Sequence, residues 1–166
     1  VPADVVADAF AQAAAVGATI VFNPSPVSLG RDLARVASVV VLNELEVAEL
    51  AAADVPTSAT EAARAAAEVA QRDQAVIVTR GGAGAVLVSA DATKVLPAPA
   101  VEPVDTTGAG DCFAGVLAAA VAEGLALPDA AVRATRAAAL SVTGAGTVDA
   151  MPTTAAVIGA FGPTSS

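Results

Sequence analysis

Apolar side chains recur at helical spacing near the start of the chain (Val5, Val6, Ala9, Phe10, Ala13, Val16), and Gly17 stands where a helix would end. The spacing predicts a helix over residues 5–16. The largely apolar run Ala18-Thr19-Ile20-Val21-Phe22, broken by Asn23-Pro24, predicts a buried strand over 18–22. The alternation repeats with a short helix over 31–37 and a second buried strand over 38–42. Asn43-Glu44-Leu45-Glu46 then opens another helix, its acidic side chains suiting the positive end of the helix dipole.

Ser58-Ala59-Thr60-Glu61 has the form of a capping box and predicts an alanine-rich helix to about Arg72. The run 75–79 reads as a strand, Arg80-Gly81-Gly82-Ala83-Gly84 as a tight turn, and 85–89 as the hairpin partner. Short edge strands are expected over 94–96 and 101–104, punctuated by Pro97, Pro99 and Pro103. A glycine-rich loop over 107–110 leads into a helix over 111–123 stopped by Gly124. Two further helices follow over 128–143 and 153–161, with a frayed tail at 163–166. Helices alternating with continuous apolar strands indicate an α/β fold, a mostly parallel, Rossmann-like sheet covered by helices on both faces.

Composition narrows the chemistry. The 166 residues are 55 % hydrophobic but only 2 % aromatic. Mean hydropathy is +0.69, yet no uninterrupted apolar run approaches the ~20 residues of a membrane span. Without a single histidine, a Ser-His-Asp triad, a Cys-His pair and an HExxH zinc helix are excluded. Cys112 alone makes neither an internal disulfide nor a multi-cysteine metal cluster. A net charge of −9 repels nucleic acid and anionic lipid. With no signal-like start, a cytoplasmic location is expected. The chain begins at Val1 rather than Met, as a piece of a longer polypeptide would.

The most informative segment is Asp105-Thr106-Thr107-Gly108-Ala109-Gly110-Asp111, where a loop hands over to a helix. Consecutive backbone N–H groups at a helix N-terminus attract an anion. A carboxylate beside them opposes that anion, which makes sense if Asp111 is a general base taking a proton from an alcohol while the amides hold the phosphoryl group it attacks. The plainer reading is an Asp at a helix start after a flexible turn. Asn43-x-x-Glu46 follows a strand end and suits Mg²⁺ held through waters, or simply a helix cap. Thr79-x-Gly81-x-x-Gly84 can let a nucleotide approach, or make a plain turn. Asp105 can bind a cation or accept local N–H bonds, and Cys112 reads as a small core residue. A Walker loop and a GxGxxG fingerprint are both lacking.

Taken together, Asp105-Thr106-Thr107-Gly108-Ala109-Gly110-Asp111-Cys112-Phe113-x-Gly115, Asn43-Glu44-Leu45-Glu46, Thr79-Arg80-Gly81-Gly82-Ala83-Gly84 and Asn23-Pro24-Ser25-Pro26 resemble the motifs of the ribokinase-like (PfkB) carbohydrate kinases. The resemblance runs over nearly the whole chain. It implies a ribokinase-like fold that lacks its N-terminal half and lid, with residues 1–162 forming the C-terminal, nucleotide-binding part. It further implies an ATP-dependent sugar kinase, with Asp111 as base and the amides of Gly108, Ala109 and Gly110 as anion hole. Asn43 and Glu46 would organise Mg²⁺, Thr79, Gly81 and Gly84 would approach ATP, and Thr135 would border adenine. In potassium-dependent relatives, residues equivalent to Asp105 and Thr107 help bind K⁺, with further ligands near Ser141 and Gly146. Ala114 and Ala150 depart from that pattern. Asn23-Pro24-Ser25-Pro26 favours ribose among the sugars, and a homodimer through the lid is the family habit. The competing expectation is a nucleotide-binding module that does not turn over alone.

Overall fold

The computed structural model describes residues 2–163, so the expected frayed tail lies outside the described residues apart from Pro163. Five strands form one mixed sheet in the order β1-β2-β3-β4-β5, and seven α-helices are found among the described residues. By contact density the chain divides into two units, one running up to Thr79 and including Val86–Lys94, the other made of Arg80–Ala85 and the chain from Val95 onward.

In the first unit, α1 (Ala3–Ala15) ends in a Schellman arrangement, the Gly17 N–H donating to Ala14 O at 3.1 Å and the Ala18 N–H to Ala13 O at 2.9 Å. That cap explains why the strand expected over 18–22 shrinks to β1 (Val21–Phe22): Ala18 has already given its donor to the helix. Phe10 of α1 meets Phe22 of β1 edge-on, with ring centroids 5.0 Å apart. The helix expected over 31–37 is α2 (Val27–Ala34), which starts directly after the cis Ser25–Pro26 bond.

The strands β2 (Val39–Asn43) and β3 (Ala75–Thr79) run parallel, with Asn43 opposite Thr79. Their apolar positions are buried on both faces of the sheet, as a continuous apolar run requires. Leu42, Val76 and Val78 pack in a core with Val47 of α3 (Glu44–Ala51) and with Ala62, Ala65 and Ala66 of α4 (Ala59–Val69). Ala62 and Ala66 have no exposed surface. Arg31 caps α3 by donating to the carbonyls of Glu49 and Leu50.

The Ser58 side chain accepts the Glu61 N–H, but Glu61 reaches one residue beyond the expected box, to the amide and hydroxyl of Thr57. Helix α4 stops at Val69 rather than near Arg72, because Ala70 is extended and Gln74 takes up the following turn. Gln74 is 6 % exposed. Its amide nitrogen Nε2 donates to Ala34 O and Ala37 O, both at 2.7 Å, and its Oε1 accepts the Gln71 N–H. Replacing Gln74 by Leu leaves those carbonyls buried and unpaired, so urea denaturation is expected to show a loss of about 1–3 kcal/mol at unchanged m-value.

The tight turn after β3 leads into β4 (Ala85–Val88), and β5 (Thr93–Leu96) follows a turn closed by Ser89 and Ala92. No strand forms over 101–104. Pro99 and Pro103 lack donors, and the N–H groups of Val104 and Asp105 both turn to Val142 O, at 2.7 and 3.2 Å. In the second unit, α5 (Ala109–Ala122) packs on α6 (Leu127–Ser141), which packs on α7 (Thr154–Phe161). Cys112, Ala137 and Val157 form the centre of that core. Burial pushes the Cys112 thiol above its ordinary range, in keeping with a packing role.

Candidate functional site

The polar end of the first unit's sheet collects Asn43, Glu46 and Thr79. Apolar pairing stops at Asn43 and Thr79, which face one another in register. Asn43 caps α3: its Oδ1 accepts the Glu46 N–H at 2.9 Å, while Glu46 Oε2 accepts the Asn43 N–H at 2.8 Å. The helix-cap alternative is therefore the geometry present. It leaves Asn43 Nδ2, a donor that cannot ligate a metal, and Glu46 Oε1 as the oxygen outside the box. Such a pair fits Mg²⁺ through bound waters rather than by direct chelation. Among the described residues, no three His, Cys, Asp or Glu side chains come together as a metal cluster. The Thr79 hydroxyl donates to Leu42 O at 3.2 Å and retains its oxygen as an acceptor.

In the second unit, Gly81–Ala83 form a single exposed 3₁₀ turn. The Arg80 N–H donates to Gly84 O at 2.7 Å and the Gly84 N–H to Gly81 O at 3.0 Å. Gly81 is exposed and Gly84 is buried. Gly84 has φ +90°, and a Cβ there would strike the Leu96 carbonyl oxygen and lie 2.6 Å from Ala98 N. Its glycine is required by that backbone crossing. Thr135, expected to border adenine, is 6 % exposed, and its hydroxyl donates to Ala131 O at 2.8 Å.

The glycine-rich segment enters α5 two residues earlier than expected. Gly108, at φ +80°, is the N-cap and contributes no side chain to close the helix end. By contrast, α3, α4 and α7 start with Asn43, Ser58 and Thr153 accepting an N–H. The Ala109 amide, expected in an anion hole, leans toward Thr106 O at 3.3 Å. The N–H groups of Gly110 and Asp111, at the second and third helical positions, have no acceptor within the helix. Asp111 is exposed, at the position where the helix dipole favours a carboxylate.

Asp105 lies behind this turn. One of its oxygens accepts the Thr107 N–H at 2.9 Å and the other the Gly146 N–H at 3.1 Å. Thr107's hydroxyl and amide, with the Gly146 amide, hold the Asp105 carboxyl below the ordinary carboxylate range. Sequence reasoning missed the Val142 carbonyl as the anchor of 104–105; a backbone acceptor has no signature in residue type. In Asn23-Pro24-Ser25-Pro26, expected to favour ribose, Asn23 Nδ2 donates to Val41 O at 2.8 Å and Pro24 is buried.

With this geometry in place, the pattern of the pfkB family carbohydrate kinases matches residues 1–154. The chain belongs to that family. A pfkB relative, mouse ribokinase, is 36 % identical over 143 residues, covering 82 % of this chain and 44 % of the mouse protein. The ribokinase of Cryptococcus neoformans in complex with ADP superposes with a TM-score of 0.81 at 27 % identity, over 94 % of this chain and 58 % of that one. An Escherichia coli protein described as a ribokinase II, in complex with ATP and Mg²⁺, gives a TM-score of 0.77 at 27 % identity, over 93 % and 52 %. The chain thus spans about half the length of these pfkB relatives, and the α/β fold is the ribokinase fold.

Proposed function

We propose that this chain is the nucleotide-binding part of an ATP-dependent sugar kinase, in which Asp111 accepts a proton from a primary hydroxyl of the sugar. The observation that carries the reading is the start of α5: a left-handed glycine N-cap leaves the Gly110 and Asp111 amides without an acceptor in the helix, beside an exposed carboxylate. The amides of Gly110 and Asp111 attract the γ-phosphoryl group, and Asp111 takes the hydroxyl proton as the new O–P bond forms and ADP leaves. Mg²⁺ bound with the nucleotide would supply neutralisation of phosphate charge, and Asn43 with Glu46 is the pair proposed to hold its waters. Thr79, Gly81 and Gly84 are the further proposed nucleotide contacts, with Thr135 bordering adenine.

Support for ATP and Mg²⁺ comes from the relatives solved with ADP and with ATP and Mg²⁺. Because the chain covers 44 % of mouse ribokinase, sugar phosphorylation is assigned to the longer polypeptide and Mg·ATP binding to this chain. Among the described residues, no helix is long and apolar enough to cross a membrane; a small sugar is the proposed partner of the longer polypeptide.

Calorimetry of the chain with Mg·ATP, run beside a sugar-dependent ADP-release assay, tests both halves. Binding without turnover is the expected result. Turnover by the 166 residues alone would show that no further segment is needed, and absence of any Mg·ATP binding would overturn the nucleotide assignment.

A further inference from the structure

A cavity of about 120 Å³ opens in the first unit among α2, α3, α4 and the amino ends of β2 and β3. Its floor is apolar: Val40 and Val76 pair in register one residue into their strands, and Leu50 and Val69 pack on the same core. Asn43 and Thr79 stand three residues further along those strands, roughly 10 Å away. The cavity is thus separate from the polar end of the sheet.

Two of the chain's eight basic side chains meet here, in a protein of net charge −9. Arg31 lies in the last turn of α2, and Arg35 is the C-cap residue one turn on. Like charges at that spacing repel. The α3 carbonyls of Glu49 and Leu50 hold Arg31 in place through one N–H on each terminal nitrogen, leaving its Nε–H and a second N–H on each. The Arg35 guanidinium has no hydrogen-bond or ion-pair partner among the described residues. Glu68 is the one carboxylate in the lining, and Arg64 pairs with it at 3.2 Å. The lining keeps an excess of positive charge over an apolar floor.

We propose that this cavity binds a short-chain aliphatic carboxylate, its carboxylate held between Arg31 and Arg35 and its tail laid on Val40, Val69 and Val76. Guanidinium forks match a planar carboxylate. The volume equals that of about four waters, the size of a ligand of a few carbon atoms. The floor offers water no side-chain hydrogen bond, so a tail that displaces water from it adds affinity. Inorganic phosphate would engage the guanidiniums and leave the floor wet. The site does not depend on the nucleotide reading.

Titration of the 166-residue chain with butyrate, followed by amide chemical shifts, tests the proposal. Saturable shifts at Arg35, Gln71 and Val76 with a Kd on the order of 1 mM are expected, with Asn43 and Thr79 unshifted. Butyramide has the tail without the charge, and inorganic phosphate the charge without the tail; each should bind at least about tenfold more weakly. Arg35→Gln should weaken butyrate about tenfold, and Glu68→Gln should tighten it about threefold. Tightening cannot come from a misfolded chain. The absence of saturable shifts up to about 50 mM, phosphate or butyramide binding as tightly as butyrate, or undiminished affinity in Arg35→Gln overturns the proposal.

Discussion

Asp111→Asn, placed in a polypeptide that also carries the sugar-binding segment, is expected to lower sugar-dependent ADP release by about 10²–10⁴-fold. The substitution keeps the shape of the side chain and removes its ability to take a proton. Stability should fall by no more than about 1 kcal/mol, because an exposed carboxylate in the first turn gains only a modest dipole interaction. Mg·ATP affinity should be maintained or improved, since the negative charge of Asp111 opposes the phosphates that the neighbouring amides attract. This opposition separates a base from a phosphate ligand: loss of a ligand would weaken nucleotide binding, whereas loss of a base spares it. Turnover that survives in Asp111→Asn, measured as ADP produced per sugar phosphorylated, would remove Asp111 from the mechanism.

The second large effect is expected at Gly84. A methyl group at φ +90° is strained before it meets any neighbour, and here it meets the main chain of residues 96–98, which has no rotamer with which to move aside. Backbone strain and overpacking together should cost Gly84→Ala about 4 kcal/mol or more, read as a fall in the urea midpoint. Gly82 supplies the control. A Cβ there would find no atom within 4 Å, so Gly82→Ala should stay within about 0.5 kcal/mol of the parent. Equal effects at the two positions would show that the turn moves as a whole and that the crossing at 96–98 is not rigid.

Gly84 also shows what could be read from the sequence and what could not. The turn over residues 80–84 was legible because glycines between two apolar runs have a local cause. The partner of Gly84 was not, since residues 96–98 approach it through tertiary structure and three of their contacting atoms belong to the backbone. The same division runs through the strands. The strands expected over 38–42 and 75–79 pair on both sides and form as Val39–Asn43 and Ala75–Thr79. Residues 18–20 and 101–104 have comparable side chains, but their N–H groups are partly claimed elsewhere, by the end of α1 and by Val142 O. Residue type does not reveal which acceptor an amide will choose.

At the site, residue identities were more legible than roles. Asn43 and Glu46 were visible as a pair, and the structure shows them spending two of their oxygens on the start of α3. Asp105 was visible as a second carboxylate, with a cation and local N–H groups as alternatives; the loop at Gly146, 41 residues away, supplies one of its N–H partners. Thr135 matched a family position, yet its burial depends on how α6 packs, which helical spacing alone does not fix.

The fully covered alanines of α4 and α6 reverse the usual mutational arithmetic of a core. Ala62, Ala66, Ala130, Ala134 and Ala137 expose none of their surface, so each offers a single methyl group to remove and almost no space for a larger one. In a leucine-rich core, truncation opens cavities and is the dominant hazard. Here the hazard is growth: a β-branched residue at any of these positions must push whole elements apart rather than relax into a gap. Sequence drift in this protein is therefore constrained by volume ceilings on its helices, and its room for adaptation lies at the exposed turns.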